Sequence, residues 1–477
     1  MSDGTIVWLR RDLRLSDQPA LRFAIERGGP VIPVYIESFK EEGRWAPGGA
    51  HRWWLHESLG SLASDLEGVG SRLVIRRGEA LAQLRALVKE TGADAVVWCR
   101  RYEPLVIERD KAVKSSLCEE GVTVETFNGS LLFEPWTVMN QQEKPYQVYS
   151  PFSRNALDQD EPERPLSRPR KLESPESWPE SLGIDDLGLL PEVKWYQRMA
   201  EVWEPGEKGA RKRLKAFVGE RSVDYKSERD RPDLEGTSRL SPYLHHGELS
   251  PRQAWHAVLD GLPEGSSRRD VMKYLKELLW REFGYHLLYH FPQTPERPLR
   301  EKYASFPWRD APQDLRAWQK GQTGYPIVDA GMRQLWATGW MHNRVRMIVA
   351  SVLVKQLLIT WEEGAAWFWD TLVDGDLANN TLGWQWAGGC GADAAPYFRV
   401  FNPVLQGEKF DPEGAYTRLW VPELKEVPQK WLFKPWEAPK EVLEQAGVQL
   451  GQTYPEPIVD PKAGRERALE AFEVVKG

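Results

Sequence analysis

Three stretches of this 477-residue chain gather side chains suited to chemistry. Residues 237–248 read TSRLSPYLHHGE, small hydroxyl residues around an arginine just ahead of a helix. Hydroxyls and outward-pointing N–H groups at a helix start suit a pyrophosphate, although the same Ser and Thr also serve as ordinary helix caps. In KELLWREF, residues 276–283, Glu277 and Trp280 stand three apart on one helical face. A carboxylate and a flat apolar ring can therefore point into one cavity. The third feature is tryptophan: there are 23, many of them in the second half. Most must fill cores, so only a few can carry anything further.

Other chemistries find little support. Cys99, Cys118 and Cys390 are odd in number and widely spaced, giving neither a disulfide framework nor a CxxC metal pattern, and they read as free thiols. No metal is expected. No GxGxxG follows the first strand, which runs into RRDLR instead, so a dinucleotide cofactor is expected elsewhere in the chain.

The elements that must position these residues change character along the chain. Strand signals at Ile6–Leu9, Val31–Ile36, Arg72–Ile75, Ala95–Trp98 and Val122–Phe127 alternate with helical periodicity at Pro19–Arg27, Trp53–Leu66, Ala80–Thr91 and Ile107–Glu119. That alternation predicts a doubly wound parallel-sheet α/β domain over 1–130. A stretch rich in proline and charge, LDQDEPERPLSRPRKLESPESWPE, marks 131–200 as an interdomain linker. From 201 to 477 strand signals almost vanish, and helical spacing at Gly206–Val218, Pro251–Leu259, Arg268–Tyr289, Ile327–Thr338 and Arg344–Trp361 predicts an all-α domain. Length alone implies more than one domain, and 41% hydrophobic with 28% charged residues is a folded composition. The net charge of -7 argues against binding nucleic acid over the whole surface but leaves room for a local basic patch. Neither a leader nor an apolar run of membrane-spanning length is apparent, which points to the cytoplasm.

Four segments taken together resemble the DNA photolyase and cryptochrome family: IVWLRRDLRLSDQPAL at 6–21, KELLWREF at 276–283, GYPIVDAGMRQLWATGWMHNRVRM at 324–347, and WEEGAAWFWDTLVDGDLANNTLGWQWAGGCGADAAPYFRVFNP at 361–403. The resemblance spans essentially the whole chain and is strongest to class I cyclobutane pyrimidine dimer photolyases. Gln18 stands where that opening motif usually has Asn, which touches only local turn packing.

The resemblance implies FAD in the helical domain and light-driven electron transfer to a flipped-out dimer in UV-damaged DNA, a carbon–carbon lyase reaction. It assigns the cofactor phosphates to Thr237, Ser238, Arg239, Leu240 and Ser241 with Tyr225 nearby. Arg346 and Asp374 would form an ion pair over the flavin ring, Gly375 and Asp376 complete a DGD contact, and Asn380 would face flavin N5. An amide there can donate or accept, whereas plant cryptochromes usually carry aspartate, which tilts the reading towards repair. Trp384, Trp361 and Trp308 match the family's electron relay. Glu277 would hydrogen-bond the pyrimidine edge and Trp280 pack on the lesion, with Trp386 and Met347 lining the pocket. Asn343 and Arg344 would contact lesion or DNA, with Arg281 and Arg399 as phosphate or cavity residues.

Three alternatives stay open: a cryptochrome photoreceptor, a (6-4) photoproduct photolyase in which His342 acts as proton donor, and a non-enzymatic electron-transfer flavoprotein. The residues after FNPVLQGEKF read as folded rather than as a signalling tail. An antenna pigment in the first domain, deazaflavin or folate, is unresolved, since Ile107-Glu108 replaces the Asn-Glu pair of folate-binding relatives. A monomer with no obligate protein partner is the family default.

Overall fold

Contacts in the computed structural model, which describes residues 3–394, 397 and 399–475, divide the chain into two compact units. The first comprises Met1–Val223, Ser238–Pro292 and Val373–Leu377; the second comprises Asp224–Thr237, Gln293–Leu372 and Ala378–Gly477.

The first unit opens as β1 (Thr5–Leu9), α1 (Pro19–Arg27), β2 (Val31–Glu37), α2 (Gly49–Glu67), β3 (Val74–Arg77), α3 (Ala80–Thr91), β4 (Ala95–Cys99), α4 (Pro104–Glu119) and β5 (Thr123–Phe127). All strand pairs are parallel, in the order β3-β2-β1-β4-β5. Successive side chains feed opposite cores: Ile6, Trp8, Val34 and Val96 pack on one face, Val7, Leu9, Tyr35 and Val97 on the other. That is why the strands read as unbroken apolar runs. The order reverses between β1 and β4, which opens a crevice beyond their carboxyl ends. Gln18 does the work of a shorter amide: its Oε1 caps α1 by accepting from Ala20 N (2.9 Å) and Leu21 N (3.2 Å), while Nε2 donates to Asp12 (2.6 Å).

The stretch expected as linker falls within the first unit and carries α5 (Tyr149–Asp158), which packs on a later helix, and α6 (Gln197–Val202). Then come α7 (Glu207–Phe217), α8 (Glu220–Glu228, running into the second unit), α9 (Ser241–His246), α10 (Pro251–Asp260) and α11 (Arg268–His290). The turn after α9 is fastened to the chain following β1. Gly247 has φ +69°, and its carbonyl accepts from Arg14 at 2.8 Å. A Cβ on it would sit 2.0 Å from the Arg11 carbonyl oxygen, so only glycine fits.

In the second unit lie α12 (Pro312–Gln319), α13 (Pro326–Thr338), α14 (Asn343–Ser351), α15 (Trp361–Thr371), α16 (Leu377–Gly388) and α17 (Pro403–Phe410), followed by shorter helices and Pro461–Val475. One expected helix, Arg344–Trp361, is two. After α14 a single π turn, Val352–Gln356, widens the coil; Leu358 then takes φ +53°, and the Thr360 side chain caps α15 by accepting from Glu362 N. Apolar periodicity alone does not register that break, because Val352, Leu353, Val354, Leu357, Leu358 and Ile359 are all buried on both sides of it.

Candidate functional site

In the first unit the sequence Asp374-Gly375-Asp376 forms a tight turn, with Asp376 N donating to Asp374 O at 2.7 Å. Both carboxylates are buried. The turn is tied down by groups the sequence reading did not single out. The His246 ring meets the Val373 carbonyl at 3.2 Å, Tyr285 OH donates to the Asp376 carboxylate, and His245 Nδ1 lies 3.7 Å from it. Burial holds His245 and His246 far below the ordinary imidazole range, with Arg11 and a neighbouring histidine adding to the effect. A neutral ring makes the 3.7 Å approach a dipolar contact, not an ion pair. Nearby in sequence, Ser238 and Arg239 are partly exposed, Leu240 is buried and Ser241 exposed at the start of α9; Arg239 adopts φ +50°.

Helix α11 buries 12 of its 23 residues, and Glu277 and Trp280 are among those left partly open, three apart on one face. Glu277 pairs with Lys273 one turn earlier, at 3.3 Å. Trp280 is backed by Tyr149 of α5: the rings stack with centroids 3.6 Å apart and planes 9° apart. Arg281, one residue on, turns inward, donating to Ser130 O (2.8 Å) and Glu282 (3.2 Å) and lying 4.8 Å over the Tyr285 ring. Glu282 accepts from Leu132 N (2.8 Å) and Phe133 N (3.2 Å); burial nevertheless pushes its carboxyl up to about 7.

The remaining candidates belong to the second unit. Tyr225 is buried, with Arg229 5.3 Å over its ring, and Thr237 is partly exposed. Arg346 Nε donates to Met341 O at 2.7 Å. Asn380 Nδ2 donates to Ala365 O at 3.0 Å, which leaves its second N–H and its carbonyl oxygen on offer. Trp384 and Trp361 are buried in the unit's main core; Trp308 packs on the same core but is partly exposed, beside Phe306 at 4.4 Å. Trp386 and Met347 are half-buried, and Asn343 is exposed. Arg344 is engaged with Asp230 (2.9 Å) and the Phe410 ring (4.3 Å), while Arg399 is exposed, its carbonyl accepting from buried Lys355 at 2.9 Å. His342 caps α14, Nδ1 accepting from Arg344 N at 3.1 Å.

Within the first unit, Ser238, Arg239 and Ser241 offer hydroxyls and a guanidinium of the kind that suits a pyrophosphate, and the buried Asp374 and Asp376 offer carboxylates of the kind that suits the N–H edge of a flavin, so the residues present are compatible with FAD. The crevice beyond β1, β2 and β4 is lined by Arg10, Ser38, Glu42, His51, Arg101 and Arg109 among others, and Arg101 pairs there with Glu42 (2.8 Å) and Glu103 (3.0 Å). Glu108, the residue weighed as a folate contact, faces solvent.

The chain thus carries a doubly wound parallel-sheet α/β portion followed by helices. Comparison with known proteins narrows the class. Residues 5–170 match the family described as DNA photolyase, and residues 274–474 match the FAD binding domain of DNA photolyase. The chain is 51% identical to the deoxyribodipyrimidine photo-lyase of Agrobacterium fabrum over 99% of its own length and 98% of that protein's. It is 40% identical to Arabidopsis thaliana cryptochrome-2 over 99% of this chain and 79% of the relative. It superposes on the crystal structure of a bacterial class III photolyase from Agrobacterium tumefaciens with TM-score 0.96 and 50% identity, covering 100% of this chain and 98% of that one. The chain belongs to the DNA photolyase/cryptochrome family, and its helical region is that family's FAD-binding domain. The leaning to class I drawn from its motifs is not supported by the 50% identity to a class III structure.

Proposed function

We propose that this protein repairs cyclobutane pyrimidine dimers in UV-damaged DNA under light, as a carbon–carbon lyase. The observation that carries the reading is the face of α11 on which Glu277 and the half-buried Trp280 stand together, with Tyr149 stacked behind the indole. The 51% identity to a deoxyribodipyrimidine photo-lyase adds weight, and the 50% identity to a class III structure favours that class. Bound, reduced FAD would supply an electron on absorbing blue or near-ultraviolet light and recover it after the ring bonds open, with no net redox change.

The chain's own residues would do the positioning. Tyr225, Thr237, Ser238, Arg239, Leu240 and Ser241 are proposed to hold the cofactor phosphates, and Arg346, Asp374, Gly375, Asp376 and Asn380 the flavin. Glu277 would accept from the N–H edge of a flipped-out pyrimidine, with Trp280, Trp386 and Met347 as apolar walls. The exposed Asn343 and Arg399 are suited to meeting DNA from solvent, and Arg399 to the salt-dependent part of affinity. Arg344 would exchange its Asp230 partner for phosphate, whereas the inward bonds of Arg281 favour a cavity role. Two buried indoles, Trp384 and Trp361, with a partly exposed third, Trp308, suit a relay from core to surface. With DNA as the substrate, the cytoplasm is the proposed compartment and a monomer the proposed state. Among the described residues no helix is long and apolar enough to cross a membrane.

Photoreduced protein mixed with UV-irradiated oligothymidine, followed by thymine absorbance against a dark control, tests this reading: light-dependent recovery is expected. The 40% identity to cryptochrome-2 favours photoreception as the second reading. Absence of recovery from a protein that binds and photoreduces FAD would point to photoreception or to repair of another lesion.

A further inference from the structure

We infer that Tyr149 is a positioning residue of the lesion pocket, acting through Trp280 to set discrimination between damaged and undamaged DNA. The inference rests on the proposed reading of Trp280 as the ring that packs on the lesion. Tyr149 opens α5, within the 131–200 span expected as linker, yet the residue is only 7% exposed. It covers one face of the Trp280 indole at 3.6 Å, while Phe283 meets the same indole edge-on at 5.9 Å. With one face and one edge taken, Trp280 offers a planar ligand a single face in a fixed orientation.

The stack is imposed rather than incidental. Aromatic pairs favour offset or edge-to-face arrangements over a face-to-face sandwich, so a near-parallel pair at this separation needs outside restraint. The phenol supplies one restraint, donating from its hydroxyl to the Lys276 carbonyl of α11 at 2.6 Å. The rest comes from an aromatic ladder between α5 and α11, with Phe152 at 5.1 Å from both Phe283 and His286, and Tyr149 itself at 5.9 Å from Phe283. Lys276 immediately precedes Glu277, so the same phenol steadies the backbone carrying the carboxylate. A partner that discriminates by shape needs such preorganisation, because each free rotamer at the contact is frozen at a cost on binding.

The test compares dark binding of a dimer-containing oligonucleotide and its undamaged counterpart to FAD-loaded wild type, Tyr149→Ala, Tyr149→Leu, Tyr149→Phe and Trp280→Ala. For Tyr149→Ala we expect the selectivity ratio to fall about tenfold, with flavin content and undamaged-DNA affinity unchanged; Tyr149→Phe restores it to within about twofold. Tyr149→Leu keeps apolar volume and decides the matter if the alanine variant loses FAD. Full selectivity in the leucine or alanine variant, beside a loss in Trp280→Ala, overturns the role of Tyr149. Full selectivity in Trp280→Ala overturns the lesion-pocket reading, and the inference with it.

Discussion

Glu248 allows a quantitative test of how the first unit is held together. It is fully buried, and its Oε1 accepts from Trp54 Nε1 (3.0 Å) and Gly206 N (2.6 Å). Its Oε2 has no hydrogen-bond partner, with the Ser58 hydroxyl beside it. Burial pushes the carboxyl from 4.5 up to about 8, against the pull of those donors. The sign follows from linkage. Below the unfolded value both states are protonated and the group costs nothing; as pH rises towards 8 the unfolded chain releases its proton while the folded chain must retain it, so stability is lost across that window. At about 1.4 kcal/mol per pKa unit the loss by pH 8 is about 4 to 5 kcal/mol. Glu248→Gln removes the titration, keeps an oxygen for Trp54 and Gly206, and gives Ser58 a donor. Melting of the FAD-loaded variant and wild type should therefore agree at pH 5 and diverge as pH rises. At pH 8 the variant should melt higher by roughly 5–10 °C. An offset of the same size at both pH values would refute the reasoning, because it would show that Glu248 does not change its proton affinity on folding.

Three further outcomes are expected. Gly247→Ala forces a Cβ to 2.0 Å from the Arg11 carbonyl at φ +69° and should cost at least about 3 kcal/mol, read as loss of soluble, flavin-bound protein; Gly121→Ala, also at positive φ but in open space, controls for backbone strain alone. Glu277→Ala should leave flavin binding intact and lower repair yield at least threefold; an unchanged quantum yield removes Glu277 from the site. Trp384→Phe should retain FAD but slow light-driven flavin reduction by an external donor about tenfold or more, measured by bleaching of oxidised-flavin absorbance. Wild-type rates would take that indole out of the relay.

The α/β elements were legible because strand and helix periods alternate cleanly: α1 and α3 begin and end where apolar spacing puts them, and all five strands lie within two residues of expectation. The α14–α15 break was not, because buried residues surround it on every side and the signal that ends the coil is a backbone conformation at Leu358. Composition also concealed α5. Proline and charge dominate 157–191, but Tyr149-Ser150-Pro151-Phe152 just ahead of it carries two aromatic anchors at helical spacing, and that was the available signal. The candidate site divides the same way. Glu277, Trp280 and the DGD sequence are local patterns, whereas Tyr285, His245 and His246 reach the DGD turn from 91 to 131 positions away in sequence, a proximity only the fold creates.

That long-range set explains why the turn tolerates histidine at all. His51 stacks on His245 at 4.8 Å, and His245 meets His246 at 4.7 Å. All three are buried, with proton affinity driven well below the ordinary range. Protonating any of them would place a cation among Arg11 and Arg101, which burial and repulsion both oppose. They therefore act as polar aromatic packing, and the turn they help anchor, through His246 to Val373 and Tyr285 to Asp376, keeps its shape across the pH range in which a surface histidine would switch. Glu282 behaves otherwise. With its carboxyl near 7, rising pH ionises it in place beside Arg281 and the Leu132 and Phe133 amides, strengthening those bonds at some cost in overall stability.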